Sequence, residues 1–186
     1  GIDIDCERAY IAAENGIVCC CADMVNFQLN CRFDRIIVPS NTIYCLLSED
    51  TLVSCFKNIR NHLAKNGQLV FDSFVAYDQQ MMTYTSKSRK DNGWVKEIYY
   101  DYKIWDVYES VEILPGLGRV DVHYSHKCRS TDEKIETKIP QRYFSHSELP
   151  QLLGKAGLIM TSIVGGFKNE PLSDSCERIV VSASLN

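Results

Sequence analysis

The stretch from Phe33 to Phe74 constrains the fold more than any other part of the chain. It opens with a β-branched run, Ile36–Val38, of the kind found in strands that are buried on both faces. A long amphipathic segment follows, in which apolar residues recur at helical spacing: Leu52, Phe56, Ile59 and Leu63. A second apolar run, Leu69–Phe71, comes after the turn signal Asn66-Gly67. A strand, a helix and a strand in this order form the crossover unit of a parallel α/β sheet.

The ends of the central helix are marked by local signals. Ser48 can cap its first turn, which also holds Glu49 and Asp50, where negative charge is favoured by the helix dipole. Asn66-Gly67 is a helix stop. We therefore predict a helix from Ser48 to Ala64.

The residues before Phe33 continue the same alternation. Gly1–Ile4 is typical of the end of a strand, and Asp5 can cap a helix that extends through Glu14. Ile17–Cys21 predicts a second strand, and Asp23 follows its carboxyl end. Up to about Ala76, the order strand, helix, strand, strand, helix, strand favours a parallel sheet.

The pattern changes after Ala76. The charge run Lys87–Asp91 predicts a solvated loop. Alternating segments rich in Tyr, Val and Ile then predict four antiparallel strands: Val95–Trp105, Val107–Leu114, Arg119–Cys128 and Lys134–Tyr143. Ser145 is expected to cap a further helix, with Glu148 completing a capping box and Gly157 ending it. Two last strands are expected at Leu158–Val164 and Glu177–Ala183.

Composition narrows the class of protein. A length of 186 residues predicts one domain, with enough chain to bury a core. The net charge of -4 argues against a nucleic-acid partner, because binding to a phosphate backbone needs basic residues. No apolar run is long enough to span a membrane, and the start of the chain does not have the pattern of a signal peptide. These features favour a cytoplasmic protein.

The nine cysteines are irregularly spaced, and three of them, Cys19–Cys21, are consecutive. A structural zinc site would need paired spacings such as Cys-x-x-Cys, which do not stand out here. We expect these cysteines to be small buried apolar residues in a reducing compartment, rather than metal ligands or disulfides.

Polar residues follow three predicted parallel strands. Asp3 ends the first, Asp23 and Met24 follow the second, and Pro39-Ser40-Asn41 follow the third. Ligands of open parallel sheets bind beyond the carboxyl ends of the strands, and an acidic residue there can accept both ribose hydroxyls. Together, these ends favour a ligand that contains a nucleoside.

These residues resemble a known family. The match includes the segments GIDID (Gly1–Asp5), ADM (Ala22–Met24), FDRIIVPSNTIYCLL (Phe33–Leu47), IRNHLAKNGQLVFDSF (Ile59–Phe74), RYFSHSELPQLLGKAGL (Arg142–Leu158) and GGFKNEPLSDSCERIVVSA (Gly165–Ala183). Their order is similar to that of class I S-adenosylmethionine-dependent methyltransferases. Within that class they resemble the small-molecule subgroup, which includes glycine/sarcosine-type and amino-sugar N-methyltransferases. The resemblance implies a Rossmann-like α/β sheet, mostly parallel with an antiparallel last strand. It also implies a single domain over residues 1–186, in which an antiparallel β insert at 94–143 acts as a lid.

The resemblance implies a role for particular residues toward the cofactor, S-adenosyl-L-methionine. Asp3 would hold the ribose hydroxyls, and Ile4 would pack against the adenine. Asp23 would accept a hydrogen bond from the adenine amino group, with the Met24 backbone on the ring. Val38 and Pro39 would line the methionine part. Asn41 and Tyr44 would border the reacting methyl group. We expect no metal site.

One feature departs from the family pattern. The Gly-rich loop that meets the methionine end of the cofactor would precede Gly1. Gly116-Leu-Gly118 lies between predicted antiparallel strands and is typical of a hairpin turn. We therefore expect the chain to be a fragment that is incomplete at its N-terminus, with unpaired edges on the strands ending at Asp3 and Pro39.

Residues of the insert suggest how an acceptor could be bound. His123 could act as a general base for an amine acceptor, although a surface histidine on a strand is the simpler interpretation. Arg142 could bind an acceptor carboxylate or pair with a surface acid. The insert is rich in aromatic residues, which could wall the acceptor pocket or form a homodimer interface: Trp94, Tyr99, Tyr100, Tyr102, Trp105 and Tyr108. His62, near the end of a predicted helix, is expected to act as a cation on the helix dipole.

Two other functions remain open. The scaffold could be a catalytically silent binding or interaction protein, because fold does not dictate function. A dinucleotide-dependent oxidoreductase is the weaker alternative, because the segment after Phe74 lacks a second nucleotide-binding half.

Overall fold

The computed structural model describes residues 1–75 and 93–186. They form two compact units: unit 1 comprises Gly1–Ser73 with Ser147–Asn186, and unit 2 comprises Phe74–His146. The charge run Lys87–Asp91, predicted to be a solvated loop, lies outside the described residues. Within the described ranges, every helix is too short or too polar to cross a membrane.

Unit 1 begins with a small parallel sheet. Strand β1 (Ile2–Asp3) pairs with β2 (Cys20–Cys21), and helix α1 (Cys6–Glu14) connects them. The predicted cap of α1 is confirmed, since the Asp5 carboxylate accepts hydrogen bonds from the backbone N–H groups of Glu7 and Arg8. Strand β2 is shorter than the predicted Ile17–Cys21.

A four-stranded sheet carries the rest of unit 1, in the order β3–β4–β10–β9. Its strands are β3 (Phe33–Val38), β4 (Leu63–Phe74), β9 (Leu158–Val164) and β10 (Arg178–Leu185). Strands β3 and β4 are parallel, whereas β9 and β10 are antiparallel. The expectation of a mostly parallel sheet was therefore wrong, because this sheet is mixed. The chain returns from β9 to β10 through residues 165–177 without a helix, and such a connection suits antiparallel strands.

Strand β3 lies at an edge of this sheet. In the described part of the chain it pairs with β4 alone, while β1 and β2 form their separate sheet. Val38 is buried, but the side chain of Ile37 is 65% exposed. The prediction that Ile36–Val38 is buried on both faces was wrong, because burial on both faces requires structure on each side of the strand.

Helix α2 (Glu49–His62) follows a short 3-10 turn at Thr42–Cys45. Ser48 caps α2 as predicted, in a capping box with Thr51. The predicted apolar stripe is buried, and the rings of Phe56 and Phe71 lie 5.8 Å apart, which packs α2 on β4. The helix ends at His62, two residues before the predicted Ala64. Gly67 does not end the helix as predicted, because it lies within β4. A glycine fits there because a Cβ would lie 2.7 Å from the carbonyl oxygen of Phe33.

Helix α3 (Leu149–Lys155) begins later than expected. Its N-cap residue is Glu148, so the prediction that Ser145 is the N-cap of this helix was wrong. Pro150 in the first turn explains this start, because proline suits the first turn of a helix and cannot follow a helical residue easily. The buried positions agree with the prediction: Leu149, Leu152, Leu153 and Ala156. Gly157 ends the helix with φ 75°.

Unit 2 is an antiparallel sheet in the order β5–β6–β7–β8. The strands are β5 (Trp94–Tyr100), β6 (Lys103–Leu114), β7 (Arg119–Cys128) and β8 (Lys134–Arg142). The bounds of β7 and β8 agree with the prediction almost to the residue. The turn between β5 and β6 instead falls at Asp101–Tyr102, inside the predicted strand Val95–Trp105, and both turn residues have positive φ (50° and 57°). The predicted break between Trp105 and Val107 was wrong because both residues are buried inside β6. A two-residue turn with positive φ matches the twist of a hairpin, even though neither residue is glycine.

The cysteines also differ from the expectation. Cys6 and Cys21 form a disulfide that joins the start of α1 to the end of β2. Among the seven free cysteines, Cys55 and Cys128 are buried, while Cys20, Cys31 and Cys45 are exposed. Sequence spacing did not reveal this pair, because the crossover brings Cys6 and Cys21 together only after β1 and β2 have paired.

Candidate functional site

Asp3 and Asp23 lie at the ends of two adjacent parallel strands. Asp3 pairs in register with Cys21, and the backbone N–H of Ala22 donates to the carbonyl oxygen of Asp3 at 2.8 Å. Oδ1 of Asp3 accepts from the N–H of Asp5 at 2.9 Å. Oδ2 of Asp3 has no hydrogen-bond partner within the described ranges. This carboxylate is therefore oriented by the chain and keeps an oxygen for a ligand.

The carboxylate of Asp23 is held in a tight turn. Its Oδ1 accepts from the N–H of Val25 at 2.9 Å, and its carbonyl oxygen accepts from the N–H groups of Asn26 and Phe27. Near Asp3, the side chain of Ile4 is 73% exposed. Two carboxylates and an exposed aliphatic side chain thus occur at one end of the β1–β2 pair, with Met24 partly buried in the following turn.

The loop after β3 has an unusual backbone. Ser40 and Asn41 both have φ 61°, in the left-handed region that non-glycine residues rarely adopt. The carbonyl oxygen of Pro39 accepts from the hydroxyl of Thr42 at 2.5 Å and from its N–H at 3.2 Å. Pro39 and Ser40 are exposed and Asn41 is partly exposed, whereas Val38 is buried. Strained backbone of this kind often occurs where a loop contacts a ligand.

A buried carboxylate on β4 holds this loop. Oδ1 of Asp72 accepts from the N–H of Ser40 at 2.9 Å, and its carbonyl oxygen accepts from the N–H of Asn41 at 3.3 Å. Oδ2 of Asp72 forms an ion pair with Arg178 on β10. The guanidinium of Arg178 also lies over the ring of Phe167, 5.5 Å from its centroid. The side chain of Asp72 is only 8% exposed, so the ion pair compensates for the burial of its charge.

Tyr44 lies just beyond the loop and is fully buried. Its N–H donates to the carbonyl oxygen of Asn41 at 2.8 Å. Burial raises the pKa of the Tyr44 phenol to about 12, so the hydroxyl stays protonated near neutral pH. The predicted role of Tyr44 beside a reacting group stays a prediction.

His62 plays a structural part that differs from the expected one. Its Nε2 accepts from the N–H of Leu29 at 3.1 Å, and its Nδ1 lies 2.8 Å from the carbonyl oxygen of Asn58. An imidazole with one accepting nitrogen is neutral, so the predicted cation on the helix dipole was wrong. The ring packs on Phe27, with centroids 4.4 Å apart.

In unit 2, His123 belongs to a polar cluster on one face of the sheet. Its Nε2 lies 3.6 Å from Oε2 of Glu112, and Asp121 completes a group whose potential ligand atoms lie within 4.8 Å of one another. The carboxylate of Asp121 accepts from Nε and Nη2 of Arg119 at 2.5 and 2.9 Å and pairs with Lys138 at 2.5 Å. Hydrogen bonds from Arg119 lower the pKa of Asp121 to about 2. Two cations already neutralise this carboxylate, so the cluster is poorly suited to a metal ion.

A cavity of about 470 Å³ opens beside this cluster. The side chains along its polar face are those of Tyr108, Ser110, Glu112, His123, Ser125 and Glu136. Ser125 Oγ is enclosed and lacks a hydrogen-bond partner within the described residues. His123 and His126 lie on opposite faces of β7, as their odd spacing predicts.

The other predicted residues of unit 2 are spread along its strands. Arg142 ends β8 opposite Arg119. Three tyrosines near the β5–β6 turn are strongly exposed, with exposed fractions of 71%, 68% and 90%: Tyr99, Tyr100 and Tyr102. Trp105 is buried instead, and Trp94 donates from Nε1 to Asp106 at 3.0 Å.

Sequence reasoning missed Asp72 and Arg178. Asp72 follows Leu69–Phe71 directly, and a carboxylate at the end of an apolar run is a signal that could have been used. No local pattern predicts that Arg178 is its partner, because the two residues are 106 positions apart.

Comparison with known proteins shows which solved structures share this fold. No protein-family model matches the chain, and no curated protein sequence matches it. Solved structures match across nearly the whole chain. A methyltransferase from Clostridium acetobutylicum, dependent on S-adenosylmethionine, is 19% identical with a TM-score of 0.72, and the match covers 100% of this chain and 74% of that one.

Two other similar structures are those of enzymes described as methyltransferases of sugars. A sugar N-methyltransferase from Streptoalloteichus is 14% identical, with a TM-score of 0.69 and coverage of 97% of this chain and 69% of the other. An amino pentose methyltransferase from Micromonospora echinaspora, solved with S-adenosylmethionine bound, is 14% identical, with a TM-score of 0.68 and coverage of 100% and 73%. The resemblance seen in the sequence is thus confirmed at the level of the fold: this chain has the fold of S-adenosylmethionine-dependent methyltransferases.

Proposed function

We propose that this chain binds S-adenosyl-L-methionine and takes part in transferring its methyl group to a small-molecule acceptor. The observation that carries the proposal is the pair of oriented carboxylates, Asp3 and Asp23, at adjacent strand ends of a chain with this fold. Parallel strands direct their carboxyl ends to one edge, which is where ligands of such sheets bind.

The adenosine half of the cofactor would be held by the β1–β2 end. Oδ2 of Asp3 would accept from the ribose hydroxyls, because Oδ1 is already used by the N–H of Asp5. The exposed side chain of Ile4 would cover one face of the adenine, and burial of this apolar surface would contribute to affinity. Asp23 would accept from the adenine amino group, with the Met24 backbone against the ring.

The methionine half would lie against the end of β3. Val38 and Pro39 would line it, and the loop through Asn41 would border the methyl group. S-Adenosylmethionine supplies an activated methyl group, so the protein mainly needs to align the acceptor and exclude water. This requirement does not include a nucleophile–base pair.

An acceptor site in unit 2 is part of the same proposal. The His123 imidazole beside Glu112 could take a proton from an amine acceptor, since its Nε2 lies 3.6 Å from a carboxylate that would stabilise the charged ring. Arg142 could bind an acceptor carboxylate. Unit 2 would act as a lid, and the exposed tyrosines at the β5–β6 turn could form a homodimer interface.

A catalytically silent binding protein is the second candidate. The observation that favours it is a set of strongly exposed apolar side chains outside the cofactor residues: Val18 at 92%, Tyr102 at 90% and Ile37 at 65%. Such side chains could contact another protein.

Titration calorimetry with S-adenosylhomocysteine tests the proposal. The wild-type chain should bind, and Asp3→Ala should weaken binding by about 1–3 kcal/mol, the range for losing hydrogen bonds to a charged group. Asp34→Asn is the matched control, because Asp34 is an exposed carboxylate on β3 and should leave affinity unchanged.

The outcomes separate the candidates. Absence of binding by the wild-type chain would favour the silent binding protein, and binding of NAD would favour an oxidoreductase. Unchanged affinity in Asp3→Ala would show that the ribose is held elsewhere.

A further inference from the structure

The loop at the end of β3 adopts a conformation that its own residues disfavour. Ser40 and Asn41 have φ 61° in succession, and neither is a glycine. L-residues rarely enter this region because Cβ approaches the backbone too closely. Two successive residues of this kind persist only when contacts from elsewhere in the protein hold them.

Two such contacts come from Asp72. Asp72 receives the N–H of Ser40 on Oδ1 at 2.9 Å and the N–H of Asn41 on its carbonyl oxygen at 3.3 Å. Both loop amides therefore point at β4. A backbone N–H that donates to a carboxylate makes a charge-assisted hydrogen bond, which is stronger than a neutral one.

The carboxylate of Asp72 is itself fixed from the other side. Oδ2 pairs with Nη1 of Arg178 on β10, the strand next to β4 in the sheet. The Arg178 guanidinium lies over the ring of Phe167, which limits where it can point. A chain of contacts thus runs from β10 through Asp72 to the loop, with Oδ1 and Oδ2 committed to different partners.

We propose that Asp72 is a positioning residue, which holds Ser40 and Asn41 in the left-handed conformation so that the loop Pro39–Asn41 can receive the methionine half of the cofactor. Arg178 supports it by orienting Oδ2. This inference rests on the proposed function, since it assigns Pro39–Asn41 to cofactor binding. It adds two residues that need not touch the cofactor.

The test compares variants of the loop and of its support by calorimetry with S-adenosylhomocysteine. Ser40→Pro removes the donated N–H and forbids positive φ, and it should weaken binding at least tenfold. Ser40→Gly keeps the N–H and allows positive φ, so it should lose much less affinity than Ser40→Pro does. Ser40 is exposed, so neither change disturbs the core, and thermal denaturation should show both variants folded.

Asp72→Ala should also weaken binding at least tenfold, and Arg178→Lys should weaken it less than Arg178→Ala. Adding Ser40→Gly and Asn41→Gly to Asp72→Ala should recover at least threefold of the lost affinity, because glycine enters the left-handed region without the steric cost. A residue that merely stabilises the sheet would not be rescued in this way. In turnover assays, the KM for S-adenosylmethionine should rise by a larger factor than kcat falls.

The wild-type titration separates this inference from the function beneath it. If the wild-type chain does not bind, the proposed function fails. If it binds while Ser40→Pro binds equally well, Asp72 does not position the loop. The inference is also overturned if a folded Asp72→Ala keeps full affinity, or if the glycine pair recovers none of the loss.

Discussion

The disulfide between Cys6 and Cys21 leads to a quantitative prediction for stability. The two residues are 15 positions apart in sequence and connect α1 to β2. Cross-linking a loop of this size lowers the entropy of the unfolded chain and is expected to stabilise the protein by about 3 kcal/mol. For a chain of this length, a loss of that size should lower Tm by about 6–12 °C. We therefore expect Cys6→Ser and Cys21→Ser to show similar, large decreases in Tm.

Cys20→Ser is the matched control, because Cys20 neighbours Cys21, is exposed and is a free thiol. It should leave Tm nearly unchanged. Alkylation in denaturant without reduction, followed by intact-mass measurement, should modify only the seven free cysteines of the nine in the chain. The reasoning is refuted if nine cysteines are alkylated under these conditions, or if Cys6→Ser and Cys20→Ser melt at the same temperature.

Two further predictions concern charge and helix capping. The pKa of Asp121 is lowered from 3.8 to about 2, chiefly by hydrogen bonds from Arg119, so its stabilising effect is complete above 3.8 and is lost as pH falls through about 2. Chemical denaturation should therefore show a steeper loss of stability over this window in wild type than in Asp121→Asn, and equal slopes would contradict the assignment. Ser48 accepts from the N–H of Thr51 at 3.1 Å, so Ser48→Ala should lower the free energy of unfolding by about 1 kcal/mol. Ser54→Ala, an exposed change within α2, should cost nothing, and equal losses in the two variants would exclude capping as the cause.

Signals confined to a few residues predicted structure well in this chain. Asp5 and Ser48 cap their helices, and Gly157 ends α3, because each acts on backbone groups within three or four positions. Where two local signals competed, the prediction failed. Ser145 and Glu148 matched a capping box, but Pro150 set the start of α3 instead.

The candidate site was predicted in part. Polar residues at strand ends identified Asp3, Asp23 and Pro39–Asn41, and the structure shows the first two at adjacent ends of paired strands. The left-handed conformation of Ser40 and Asn41 was not predictable, because it depends on hydrogen bonds to Asp72 more than thirty positions away. The roles of these residues toward a cofactor remain proposals.

By itself, the sequence determined the order of the helices and strands, because hydrophobic periodicity and capping residues act over short distances. It also determined that polar groups follow three strands. Only the tertiary structure decided which strands are neighbours, and so made the main sheet mixed and left Ile37 exposed at its edge. It alone joined Cys6 to Cys21 and Asp72 to Arg178. Such pairs depend on chain topology, since residues far apart in sequence meet only after the sheets have formed.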